Sequence, residues 1–100
     1  WLIMNMQSLM AQARKLQGDM EKITKEIENT IFKYENDNVL LEINGKNEVV
    51  KINIKDSSIL EDKEMLEDIL FVAMNDVLGQ IKKEKEKKLG RYTNGLGGLF

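Results

Sequence analysis

Between Lys82 and Lys88 the chain reads Lys-Lys-Glu-Lys-Glu-Lys-Lys, with Arg91 soon after. Cations at this density can neutralise a phosphate backbone. The same run also has an explanation that needs no ligand. Lys82 with Glu86, and Glu84 with Lys88, are spaced for pairs one helical turn apart, and cations suit a helix C-terminus. Residue type alone leaves both readings open. Charge distribution sharpens the question. Residues 77–100 hold six bases against Glu84 and Glu86, a balance of +4, whereas residues 56–76 hold seven acids against Lys63, a balance of −6. The net charge of −2 hides this asymmetry. The whole-chain value argues against a polyanionic partner; the C-terminal segment argues for one.

Most other chemistry is excluded by what is missing. There is no histidine and no cysteine. A serine or threonine nucleophile would have no imidazole base, a structural zinc would have no thiolate, and no disulfide framework can form. The cluster Glu61, Asp62, Glu64, Glu67 and Asp68 lacks the alternating spacing and central glycine of a calcium loop. Acids there are explained by the positive end of a helix. The glycines at 95, 97 and 98 lack the Gly-Lys-Ser/Thr ending of a phosphate loop. These absences point to a non-catalytic protein with no cofactor, no metal and no small-molecule substrate. No apolar run approaches the length of a membrane span. Trp1-Leu2-Ile3-Met4 is too short for a signal peptide and lacks its basic flank, and Met4 or Met6 is a candidate native start.

The elements that must position these charges are legible in the apolar spacing. One hundred residues make one domain with a thin core. Met6, Leu9, Ala13, Leu16, Met20, Ile23 and Ile27 alternate steps of three and four, a heptad seam on a first long helix. So narrow a stripe suits one opposing helix, either in another molecule or within the same fold. Arg14, Lys15, Lys22, Lys25 and Gly18 lie away from it. The period then changes to two. Phe32 and Tyr34 mark a first strand, Val39, Leu41 and Ile43 a second, and Val50, Ile52 and Ile54 a third. Asn36-Asp37-Asn38 forms the first turn, and Asn44-Gly45 is a hairpin signal because both residues tolerate positive φ.

A second long helix is expected from Asp62, which can cap it, to Gly90, which can close it. Its stretch 69–74 is apolar almost all round, more than three strands of one subunit can cover. Leu70, Phe71 and Met74 are therefore candidate dimer contacts. The lysine run has no apolar face and must be solvated. Residues 1–90 form the expected dimerisation and binding domain, and 91–100 a flexible Gly-rich tail with apolar hooks at Leu96, Leu99 and Phe100. The fold class is α+β: a three-stranded antiparallel meander with two long helices.

The stretch Asp56-Ser57-Ser58-Ile59-Leu60-Glu61-Asp62-Lys63-Glu64-Met65-Leu66-Glu67-Asp68-Ile69, continuing to Ala73-Met74-Asn75-Asp76-Val77, closely resembles the signature of the YbaB/EbfC family of nucleoid-associated proteins. The Met- and Gln-rich opening Met4–Met20, the hairpin at Leu41–Gly45 and the Gly-rich tail occur in the family's order, so the likeness covers nearly the whole chain. Two positions depart from it. Ser57 stands where members often have proline, and Glu35–Asn38 replaces a Gly-rich turn. The resemblance implies an α-β-β-β-α subunit, a tweezer-like homodimer, a bacterial cytoplasmic and nucleoid location, and binding of duplex DNA by the first and last helices. No strict motif marks the DNA contacts. Position and charge carry the assignment over to Arg14, Lys15, Lys22, Lys25, Lys82, Lys83, Lys85, Lys87, Lys88 and Arg91.

The reading that follows is a non-catalytic homodimer holding duplex DNA, with a role in nucleoid organisation and gene regulation. Its rival is a protein–protein adaptor that uses the heptad helix or the apolar tail.

Overall fold

The computed structural model describes residues 2–96, with side chains from 5 to 92. Helix α1 spans Leu2–Glu28, strands β1, β2 and β3 span Ile31–Glu35, Val39–Asn44 and Val49–Ile54, a 3-10 turn spans Ser57–Glu61, and helix α2 spans Lys63–Leu96. The strands form one antiparallel sheet in the order β1-β2-β3. This is the α-β-β-β-α arrangement expected from the sequence.

Local chemistry ends each element. Thr30 donates its hydroxyl to the Glu26 carbonyl at 2.7 Å, and the amides of Asn29 and Thr30 reach Lys25 and Ile27, which satisfies the last carbonyls of α1. Asn36 closes the first turn: its Oδ1 accepts from the amides of Asn38 and Val39, both at 2.8 Å. Asp62 caps α2 as expected, its Oδ1 accepting from the Met65 amide at 3.0 Å.

The β2–β3 turn is longer than Asn44-Gly45 predicts. Asn44 Oδ1 accepts from the amides of Lys46 and Glu48, and the residue with positive φ is Asn47, at 65°. Gly45 has a different task. It is buried under the end of α1, its amide donates to the Thr30 carbonyl at 3.1 Å, and a Cβ there would collide with the Ile27 carbonyl group. The glycine is required by a close approach rather than by its backbone angle.

Gly90 also departs from expectation. It lies inside α2, which continues to Leu96, and takes no positive φ. A glycine costs a helix only about 1 kcal/mol, and no proline follows to end it. The expected tail is therefore helical through Leu96. Gly97, Gly98, Leu99 and Phe100 lie outside the described residues.

The core is one cluster of Ile27, Phe32, Leu41, Ile43, Ala73, Val77 and Ile81, with Ile23, Tyr34 and Leu89 packed at its edge. Helix α2 lies over β1 and β2. Gln80 fixes one flank of α2 by donating to the Lys33 carbonyl of β1 at 3.0 Å. Strand β3 is left uncovered. Ile52 and Ile54 pair with Leu41 and Val39, so they share the core face of the sheet. Yet Ile52 is 55% exposed, whereas Leu41 is 1%. On the outer face Glu42 stands between Lys33 and Lys51 across the strands, and Lys55 bonds Glu35, holding that carboxyl below its usual range.

The link into the 3-10 turn offers a local test. Asp56 caps it, accepting from the Ser58 hydroxyl at 2.7 Å and from its amide at 3.0 Å, which lowers the carboxyl pKa. Asp56 is extended, with φ −114° and ψ 106°, the conformation required before a proline. Ser57 occupies the first helical position, where proline is favoured. Ser57→Pro should therefore stabilise the fold by about 0.4–1 kcal/mol. A thermal melt would show it; a lower melting temperature would mean that residue 57 cannot take the proline φ.

Candidate nucleic-acid interface

Seven turns of α1 sort its side chains by face. Arg14, Lys15, Lys22 and Lys25 fall within an arc of about 100°, opposite the apolar seam, at 3.6 residues per turn. All of them are exposed. Asp19, Glu21, Glu26 and Glu28 lie on the flanks between the two faces. Gly18 sits in the middle of the basic stripe with open space around it, so α1 presents a gap between Lys15 and Lys22. The seam behind this stripe is only partly covered. Ile27 is buried and Ile23 packs at the edge of the core, Met20 is half-buried, and Met6, Leu9 and Leu16 are exposed. Among the described residues, then, the last turns of the seam pack within the chain and Met6, Leu9 and Leu16 of its first turns stay exposed.

Helix α2 distributes its cations differently. Ile81 and Leu89 face the core and α1. Lys83 and Lys87 precede or follow these by two residues and so project from the opposite side. Lys82, Lys83, Lys87 and Lys88 are exposed. Lys85 is half-buried and, with Lys82 and Glu86, lines an open groove against Leu78 and Asn47 of the β2–β3 turn. Lys88 pairs with Glu84 at 4.0 Å, as its spacing predicts. Exposed pairs of this kind contribute little, and Lys88 can exchange its partner for a phosphate. Arg91 donates to the Tyr92 hydroxyl at 2.8 Å with its guanidinium 4.8 Å from the ring centroid, which pre-positions it.

The ten basic residues therefore do not form one compact patch. Those of α1 make a single stripe turned away from α2, and those of α2 surround its solvated end. The acids Glu64, Glu67 and Asp68 occupy the other end of that helix, and Glu61 ends the turn before it. Sequence reading missed Asn47, which the turn brings beside Lys82. No local signal pointed to it, because the groove depends on how α2 crosses the sheet.

The apolar candidates separate as well. Leu70 lies seven residues before the buried Val77, on the core side, and is half-buried. Phe71 and Met74 are 69% and 42% exposed, and Leu78 extends their stripe along α2 to the groove shared with Asn47 of the β2–β3 turn.

A match to the YbaB/EbfC DNA-binding family runs from residue 3 to residue 96. The chain belongs to this family. A nucleoid-associated protein of Lactococcus lactis subsp. cremoris is 45% identical over 97 residues, covering 94% of this chain and 98% of that protein. One from Ligilactobacillus salivarius is 35% identical, covering 96% and 95%. Among solved structures, an uncharacterized protein from Helicobacter pylori superposes with a TM-score of 0.57 at 25% identity, covering 87% of this chain and 93% of that one. The sheet's outer face, by contrast with the two basic helices, alternates charge sign across Lys33, Glu42 and Lys51.

Proposed function

We propose that this YbaB/EbfC protein is a nucleoid-associated, non-catalytic binder of duplex DNA that acts as a homodimer in the bacterial cytoplasm and takes part in nucleoid organisation and gene regulation. The observation that carries the reading is the exposed stripe of Arg14, Lys15, Lys22 and Lys25, segregated on α1 opposite its apolar seam. The lysine-rich end of α2 supplies the second surface, and two-fold symmetry doubles both. The dimer is supported by the apolar surface that one subunit leaves open: Ile52 and Ile54 on β3 beside Phe71, Met74 and Leu78 on α2.

Binding of this kind is phosphate neutralisation by mobile cations. Phosphate contacts carry no base information directly, so discrimination among sequences should be weak. The test is a titration of several unrelated duplexes at two or more salt concentrations. Log K should fall linearly with log[salt], with a slope near −0.9 for each phosphate neutralised. Failure to bind any duplex at low salt would overturn the reading and leave the adaptor as the better account.

A further inference from the structure

Helix α1 is two-faced, and among the described residues only one end of its apolar face packs on the core. Met20, Ile23 and Ile27 pack within the chain, but Met6 and Leu9 are 62% and 64% exposed and Leu16 is 41% exposed. The uncovered half continues the covered half in unbroken heptad register, so it has the geometry of an interrupted helix–helix interface. A width of two apolar positions per heptad suits one further helix.

The rim of this half-seam indicates which helix. The flanking positions are Asn5, Met10, Gln12 and Gln17, and residues 2–13 contain no charged side chain. A two-fold contact sets one part of a surface against another part of the same surface, so a rim of one charge sign would oppose it. A neutral amide rim does not, and it offers no charge pattern for a foreign partner to read. Packing supplies the direction. In an antiparallel pair centred near residue 11, Leu9 lies opposite Ala13 and Met6 opposite Leu16, so the small side chain receives a large one. A parallel pair would set Ala13 against Ala13 and leave a gap.

We propose that Met6, Leu9, Ala13 and Leu16 of α1 pair antiparallel with the same residues of a second copy, joining homodimers into larger assemblies. The seam is distinct from the apolar surface of β3 and α2, so each chain carries two self-complementary surfaces and association does not stop at two subunits. Because Arg14, Lys15, Lys22 and Lys25 lie on the opposite face of α1, a seam-joined pair turns two basic stripes outward. Resting on the DNA reading, such a pair would hold two duplexes side by side.

The experiment uses the full chain without DNA. Sedimentation over a concentration series should show mass rising from two chains toward four, each of 11.6 kDa. Leu9→Glu combined with Leu16→Glu should weaken this second step by about 10-fold or more, because it would bury charge in the seam, with the dimer and its melting temperature unchanged. The chain has no cysteine, so a mixture of Leu9→Cys and Ala13→Cys proteins provides an independent readout under oxidation. Cross-links between positions 9 and 13 are expected to exceed those between 9 and 9. A variant that falls to one chain would place the seam inside the dimer and overturn the proposal. So would a wild-type mass that never exceeds two chains, or a predominance of 9–9 cross-links. If the double glutamate variant misfolds, the cross-link ratio decides. A defect in the DNA reading would appear in binding isotherms and leave that ratio unmoved.

Discussion

Changing Lys82, Lys83 and Lys87 together to glutamate should abolish duplex binding while leaving the fold and the subunit association intact. All three side chains are exposed, and none belongs to the core cluster around Ile81. The substitution turns the +4 balance of residues 77–100 into −2, because six bases against two acids become three against five. A homodimer carries the change twice. If each lysine neutralises about one phosphate, the wild-type salt slope loses roughly −0.9 per lysine, and affinity at low salt falls by about 100-fold or more. The matched control changes Lys33 and Lys51 on the outer face of the sheet, to glutamine because Glu42 lies opposite both. That pair should alter binding several-fold at most. A gel shift across a salt series reads both variants. If the helix triple mutant still shifted DNA like wild type, the interface would have to be moved to the stripe on α1 alone.

The elements of this fold are legible in the chain because their periods differ sharply. The three–four steps from Met6 to Ile27 and the alternation through Val39, Leu41 and Ile43 leave little choice of helix or strand. Their cover is not legible. Leu9 and Ile23 occupy equivalent places in one heptad pattern, yet among the described residues one is exposed and the other packs on the core cluster that α2 shares. Ile52 alternates as regularly as Leu41 and differs only in lying beyond the path of α2. Glycine shows the same limit. Gly45 was visible as a turn residue, but its need comes from the Ile27 carbonyl, eighteen positions earlier. Gly90 has the residue type of a helix stop without the left-handed backbone that makes one. The candidate site was legible in charge and in helical arc. That the stripe on α1 and Lys83 and Lys87 on α2 point to different sides was not, since it depends on how Ile23, Ile27 and Ile81 bring the helices together.

Phe71→Asp should dissociate the protein. Phe71 is 69% exposed within one subunit, so an aspartate there costs an isolated chain little. Any large loss must therefore come from a partner. Met74, Leu78, Ile52 and Ile54 are also left open, on a chain too short to build a large core of its own. Burying an unpaired carboxylate in such an interface costs several kcal/mol, on the order of the whole stability of a small domain. Light scattering at low micromolar concentration should give wild type about twice the 11.6 kDa chain mass, and the variant should sediment as one chain or lose its cooperative melt. Leu70→Asp is a poorer probe, because Leu70 is half-buried on the core side and its loss would disturb the subunit itself. The comparison makes the outcome decisive. If Phe71→Asp keeps the wild-type mass and melting temperature while Leu70→Asp destabilises, the dimer does not use this face. The homodimer would then have to be built elsewhere, with the seam of α1 the next surface to test.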